Sequence, residues 1–378
     1  MPTPRTQMHF LPDDRSVIRR FLTGVSLHSH TEHSKEGLRG LPRYLEQMPV
    51  VAQFYRYEMK RHKENTGFVP DFSKAYWRGP LSAAAAYDLE RGQIEKLGLE
   101  AIVSLTDHDN IDAGTLLNTE NRTKGAPVSV EWTVPFHEIY FHLGIHNLPV
   151  EVSASLMNQM AEYTRAPQPD RLGSIMEKLD ADPSVLIVLN HPLWDMSSVG
   201  SARTRALFKE FLEAYGNRIH ALEINGLRSR LENMEVVKIA QEIGQVVVSG
   251  GDRHGCEANA LINMTRATTL AEFIYEIRND RSSNIAVLPQ YREPLVLRHL
   301  LTAWDAAREH PQLANRKQWI NRVFVRLDDG GECPISTFWP NGAPAWINPC
   351  LNVVGLLASQ FLRTPFRVAS LAAGSTVL

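Results

Sequence analysis

Apolar runs of four to six residues recur along the chain, separated by longer stretches in which apolar positions return every three or four residues. The short runs are GVSLH (24–28), AIVSLT (101–106), PVSVEW (127–132), IYFHLGI (139–145), VLIVLN (185–190), IHALEIN (219–225) and QVVVSGG (245–251). Continuous runs of this length read as strands buried on both faces. Helical patterns lie between several of them. SAAAAYDLERGQIEKLG (82–98) opens on Ser82, a good N-cap, and stops at Gly98. DRLGSIMEKLDA, SARTRALFKEFLEAYG and RLENMEVVKIAQEIG follow the same plan, the last two closing on glycine. Repeated strand–helix alternation predicts parallel strands joined by crossover helices, hence a (β/α) barrel or an open doubly wound sheet.

Two segments break the rhythm. Residues 38–81 stand between the first two strands, rich in aromatic and basic residues, with a pattern that predicts one helix over 44–63. Their place directly after the first strand suits a lid that sets substrate size and excludes water. Beyond residue 290 the alternation yields to prolines and tryptophans, which predicts a C-terminal extension over 291–378 packed on the barrel.

Composition narrows the class without naming a chemistry. With 378 residues, 43% hydrophobic and 22% charged, the chain has material for a barrel-sized domain and an appendage. A net charge of −2 leaves no electrostatic footprint for nucleic acid or an anionic membrane. No apolar run approaches the ~20 residues of a membrane span, and the N-terminus shows no secretory apolar region. Cys256, Cys333 and Cys350 form no CxxC pair. The expectation is a cytoplasmic protein with reduced thiols.

The polar residues at the strand ends change the picture. His28 and His30 are two apart, so on an extended chain they point to one side. Asp107 and His108 follow the second strand, Glu131 lies near the end of the third, and His142 is within the fourth. His191 follows the fifth, Glu223 ends the sixth, and Asp252 and His254 follow the seventh. In a parallel barrel the strands' C-terminal ends form one rim, where active sites are built. Imidazoles and carboxylates converging there suit Zn²⁺, Mn²⁺ or Fe²⁺, and a carboxylate can bridge two such ions. His220, His299 and His310 read as structural or surface residues.

In these motifs the chain resembles the PHP (polymerase and histidinol phosphatase) superfamily. The family's HxHT opening matches His28-Ser29-His30-Thr31, followed by Ser34 to Gly37; its TDH matches Thr106-Asp107-His108. Its bridging glutamate falls on Glu131, its strand histidine on His142, its NHP on His191, and its closing D-x-H on Asp252 and His254. The resemblance spans about residues 24–290 and implies a distorted (β/α)7 barrel with two to three divalent metal ions. It assigns one metal to His28, His30, Glu131 and Asp252, and a second to Glu131, His142 and His191. A third would use His108, His254 and an acid from the first loop. The family's spacing puts that acid at position 35, which is Lys35; Glu36 is the choice and His33 the alternative.

The implied activity is hydrolysis of a small phosphate ester by metal-bound hydroxide, with Asp107 or His254 protonating the leaving group. Arg253 is the candidate for holding the phosphate, because a guanidinium fork suits oxyanions. Arg228 and Lys35 lie near rim positions, Trp194 is placed to line a pocket, and Trp132 reads as core. The alternative is an amidohydrolase-like enzyme that cleaves a C–N or carboxylic ester bond. That family often bridges its metals with a carbamylated strand lysine, and no central strand here carries a lysine.

Overall fold

The computed structural model describes residues 5–359 apart from 12–13, 39–48, 68–70, 72–73, 121–122, 124, 314–315, 328–329, 340, 344–346 and 358. In chain order the strands are β1 (Arg5–Phe10), β2 (Thr23–Ser26), β3 (Glu36–Gly37), β4 (Ala75–Trp77), β5 (Glu100–Val103), β6 (Val128–Phe136) and β7 (Ile139–Leu148). They continue with β8 (Leu186–Asn190), β9 (Ala221–Asn225), β10 (Val246–Gly250), β11 (Leu261–Thr265), β12 (Ser282–Val287), β13 (Val323–Arg326) and β14 (Glu332–Pro334). The helices are α1 (Pro49–Thr66), α2 (Ala83–Glu95), α3 (Asp112–Thr119), α4 (Val150–Arg165) and α5 (Pro169–Asp180). After them come α6 (Ser201–Tyr215), α7 (Arg230–Ile243), α8 (Leu270–Tyr275), α9 (Leu295–Ala307) and α10 (Ile347–Leu357).

The fold is mixed α/β, with strands in three sheets: β1-β12-β11-β2-β5, β10-β9-β8-β7-β6 and β14-β13-β4-β3. Every residue of β8, β9 and β10 is buried, the two-sided burial that their unbroken apolar runs predict. Helix boundaries follow local chemistry. Ser82 caps α2 by accepting from the Ala85 N–H, and Ser229 caps α7 in the same way. Gly244 ends α7 in the left-handed region, at φ 68°. Trp132 is core as expected, its indole N–H shared between the Met160 carbonyl and Thr164 Oγ1.

Strand direction departs from the parallel expectation at one place that matters. β7 runs antiparallel to both β6 and β8. Only His137 and Glu138 connect β6 to β7, and two residues can close a hairpin but cannot make a crossover. His142 therefore lies near the start of its strand, yet opposite Asn190, the last residue of β8.

Backbone hydrogen bonds stitch the first two sheets together at two seams. At one, the Glu131 N–H donates to the Asp107 carbonyl (3.1 Å) and the Asp109 N–H to that of Glu131 (2.9 Å). At the other, the Asp252 N–H donates to the His28 carbonyl (2.9 Å) and the His30 N–H to that of Arg253 (2.8 Å). Both seams carry metal-type residues.

The two segments that break the sequence rhythm meet in the third sheet. β4, from the insertion, pairs antiparallel with β13, and β3 pairs with β4. Trp77, Ile320, Val323 and Ile335 form the small core beneath. The helix expected over 44–63 is α1; its expected first residues lie outside the described ones. β1, β11 and β12 were not anticipated. β1 is half exposed and pairs with β12 from the other end of the chain, so no local apolar run marks it. Among the described residues no helix is long and apolar enough to cross a membrane.

Candidate metal centre

The parity of extended chain builds the centre. His28 and His30 flank Ser29; Asp252 and His254 flank Arg253; and Ser29 and Arg253 face each other as parallel partners. Odd residues of this ladder therefore turn away and even ones turn in. Asp252 and His191 take left-handed backbone, φ 54° and 28°, a strained conformation for a side chain such as histidine.

Glu131, fully buried on β6, is the centre of the arrangement. Its Oε2 lies 3.1 Å from His28 Nε2, 3.4 Å from His30 Nε2 and 3.2 Å from His108 Nδ1. Its Oε1 lies 3.1 Å from His142 Nδ1 and 3.2 Å from His191 Nε2, and accepts from Asn190 Nδ2 at 3.0 Å. Asp252 Oδ1 stands 3.6 Å from His28 Nε2 and 3.4 Å from His30 Nε2.

The protons on these imidazoles can be placed from their outer partners. His28 Nδ1 lies 2.7 Å from Glu223 Oε1, and a carboxylate only accepts, so the Nδ1–H points to Glu223. The other Glu223 oxygen accepts from the His191 N–H and from Asn225. Ser34 Oγ gives its one proton to Glu36 Oε1 at 2.6 Å, so at 3.2 Å it must accept from His30 Nδ1. Both Nε2 atoms therefore face inward. They sit 3.2 Å apart, with Glu131 Oε2 and Asp252 Oδ1 beside them. Burial opposes charge on His28, but Glu131, Glu223 and Asp252 hold its pKa well above the ordinary imidazole value, so without metal a proton is held among these donors, and a bound cation would take its place. Glu131 Oε2, His108 Nδ1 and His142 Nδ1 are all buried without a hydrogen-bond partner, consistent with such a cation. The donor set fits a divalent transition metal.

A second pole is more open. Glu36 Oε2 lies 3.1 Å from His108 Nε2 and 3.2 Å from His254 Nε2. His254 Nδ1 donates to the Asp252 carbonyl at 2.8 Å, which turns Nε2 towards Glu36. Burial opposes charging these rings, yet Glu36 beside them pushes His108 up to about 10 and His254 up to about 9. Burial opposes charge on Glu36 and Glu131 as well, but the imidazoles around them hold both carboxyls well below the usual range. His33 is not in the cluster; its Nδ1 is 3.9 Å from Asp112 near the surface.

Asp107 and Arg253 are placed where the catalytic roles expected of them do not fit. Both Asp107 oxygens accept from Thr31, from its N–H at 2.6 Å and its hydroxyl at 2.7 Å. Burial lifts its carboxyl to about 7, but its contacts make it the clamp of the first loop. Arg253 is turned away by the parity that turns Asp252 and His254 in. Its Nε lies 3.0 Å from Glu90, and its Nη2 donates to Gln93 at 2.6 Å, both on α2 and out of solvent. Lys35 pairs with Glu332 at 3.0 Å above the Tyr76 ring. Arg228 stacks 3.9 Å over Trp194, whose ring meets His191 edge-on at 5.1 Å. Sequence reasoning missed the supporting roles of Glu223, Asn190, Asn225 and Ser34. Glu223 was visible at its strand end, and a carboxylate there beside histidines is the usual partner of a metal-type imidazole.

No family model matches the chain, and no curated protein matches it. Among solved structures it is similar to PsfC of Pseudomonas syringae PB-5123, with 18% identity and a TM-score of 0.40, over 57% of this chain and 87% of that one. It is also similar to a protein of Bifidobacterium adolescentis named, provisionally, a metal-dependent phosphoesterase. That likeness has 14% identity and a TM-score of 0.33, over 54% of this chain and 92% of the other. At these scores neither likeness decides fold or function.

Proposed function

We propose that the chain is a metal-dependent hydrolase of small phosphate esters, related to the PHP superfamily and working in the cytoplasm. The observation that carries this reading is the convergence of His28 Nε2 and His30 Nε2 with Glu131 Oε2 and Asp252 Oδ1 in a buried cluster. In this reading the seams at Glu131 and Asp252 close β2, β5, β6, β7, β8, β9 and β10 into one distorted (β/α)7 ring within residues 24–290. The sheet of β3, β4, β13 and β14 then forms a wall beside the open pole rather than a free lid.

His28, His30, Glu131 and Asp252 would hold one ion, Glu131, His142 and His191 a second, and Glu36, His108 and His254 a third. Bound Mn²⁺, Zn²⁺ or Fe²⁺ would supply an activated water and neutralise charge on the phosphoryl oxygens. The protein's own residues do the positioning. Glu223 fixes the tautomer and orientation of His28, and Asn190 does the same for the Glu131 carboxylate. Ser34 bridges His30 and Glu36, orienting one donor at each pole. Arg228, held flat on Trp194 beside His191, is the cation placed to meet an anionic substrate.

Elemental analysis after gentle purification should find two to three transition-metal ions per chain. Turnover of p-nitrophenyl phosphate should appear with Mn²⁺ and vanish with chelator. Protein that takes up no metal and hydrolyses no phosphomonoester would refute the reading; metal uptake with amide or carboxylic ester cleavage alone would transfer it to the amidohydrolase class.

A further inference from the structure

Helix α9 lays one face over the loops that follow β9 and β10. Arg298, Leu301, Thr302 and Asp305 recur along it at the spacing of a single helix face. Between that face and residues 226–227 and 256–260 lies a cavity of about 470 Å³, within the range of small-molecule sites. Nothing in the hydrolytic reading uses it.

Its charged wall is unusual. Arg298 is 8% exposed, and among the described residues no carboxylate lies within ion-pair distance of it. Its hydrogen bonds go to the Gly226 and Arg228 carbonyls, its guanidinium lies 5.1 Å from the Tyr291 ring, and its Nε–H is buried without an acceptor. Arg322 gives a comparison within the same chain. It too is buried with its Nε–H lacking an acceptor, but four backbone carbonyls, those of Arg316, Lys317, Ala306 and Arg308, receive its other N–H groups. Arg298 has two such carbonyls, and unlike Arg322 it lines the cavity. A buried charge of this kind is costly until a counter-charge reaches it.

Elsewhere in the cavity wall the need is opposite. Glu257 Oε1 accepts from Thr302 Oγ1 at 3.0 Å, while its Oε2 is buried without a donor. Asp305 is already satisfied by the Cys256 N–H and by Arg308 Nε, both at 2.5 Å. Leu301 and Trp304 supply the apolar surface of the cavity.

We propose that this cavity binds a small organic molecule of amino-acid size, with a carboxylate or phosphate group at Arg298 and an amine or hydroxyl at Glu257. The site lies behind the metal centre and shares its loop. The His254 N–H donates to Glu257 Oε1 at 3.3 Å, so an occupant touches the segment that carries Asp252 and His254.

Calorimetry on Mn²⁺-loaded full-length protein tests this with three probes: L-leucine, O-phospho-L-serine and inorganic phosphate. One of the two organic probes should bind saturably, and whichever does separates a carboxylate head from a phosphate head. Arg298→Met should weaken that binding at least tenfold, and Leu301→Trp, which fills the cavity without touching its charges, should abolish it. Should Arg298→Met fail to fold, Leu301→Trp and Glu257→Gln carry the test. Glu131→Gln should leave the binding unchanged. The proposal falls if neither organic probe saturates below about 10 mM, a few kcal/mol of affinity. It falls equally if binding survives Leu301→Trp, or if Glu131→Gln removes it, since the probe would then sit on the metals.

Discussion

The two poles of the cluster use the same donor types and differ in how those donors are held. Around Asp252 and His28 the side chains are at most 5% exposed, and the outer nitrogen of each imidazole is fixed by Glu223 or Ser34. Around Glu36 the side chains keep 14–17% of their surface in water, and the acid sits on a two-residue strand anchored to the third sheet. A sealed, pre-oriented set loses little freedom when an ion arrives, whereas an open set on a short strand must be ordered by the ion it binds. On the proposed reading the sealed pole would hold a resident ion and the open pole an exchangeable one.

Glu131→Gln should cause the largest effect, because its two oxygens serve both sides of the cluster. Turnover of p-nitrophenyl phosphate should fall by about three orders of magnitude, ~4 kcal/mol, with circular dichroism unchanged. Near-normal metal content in that variant would break the idea of a shared carboxylate.

Glu223→Gln sharpens the sealed pole alone. Losing the partner of His28 should cost about 10–100-fold in metal affinity there, read by competition with a chelating dye. An equal loss at both poles would mean that they are not separately held.

Glu36→Gln should remove about one ion per chain and leave the tightly held remainder. This pole also has a pH arm. Without metal, His108 and His254 titrate near 10 and 9, so both carry protons at pH 8. An incoming cation must expel them, so Mn²⁺ loading at pH 8 should release protons, and affinity should rise with pH up to about 9–10. Glu36→Gln removes the carboxylate that raises both rings and should cut the release measured in weakly buffered solution.

Glu90→Gln should affect the cluster least. It leaves the buried Arg253 without its ion-pair partner and should cost about 3 kcal/mol of folding stability in urea. Metal content and turnover of the folded fraction should stay within about twofold. A selective loss of the ion bound by Asp252 would show that the Arg253 anchor does more than support its strand.

Much of the second sheet and of the donor set was legible because both follow local rules. Unbroken apolar runs marked β8, β9 and β10, and two-residue parity put His28 and His30 on one face. That rule, applied to 252–254, also excludes Arg253, whose charge drew attention away from its register. The six residues separating PVSVEW from IYFHLGI were too few for a crossover helix, which marks the hairpin that turns β7 around. What could not be read was long-range. β4 is three residues long and is defined by β13, some 250 positions away, and the two-residue β3 pairs only with β4, so no local pattern announces them.

That pairing also sets a timetable. The loop with His28, His30 and Glu36 is made some 300 residues before Glu332. Its neighbouring strand β4 stays unpaired on one side until 323–326 has been synthesised. The Lys35–Glu332 contact waits longer still, and the seam at Ser29 waits for Arg253. At about 5–20 residues per second, the interval from the first loop to its last partner is some 15–60 seconds of translation. Until residues 252–254 are made, His28 and His30 lack Asp252 and His254 beside them, so loading of the proposed metal sites would wait for that segment.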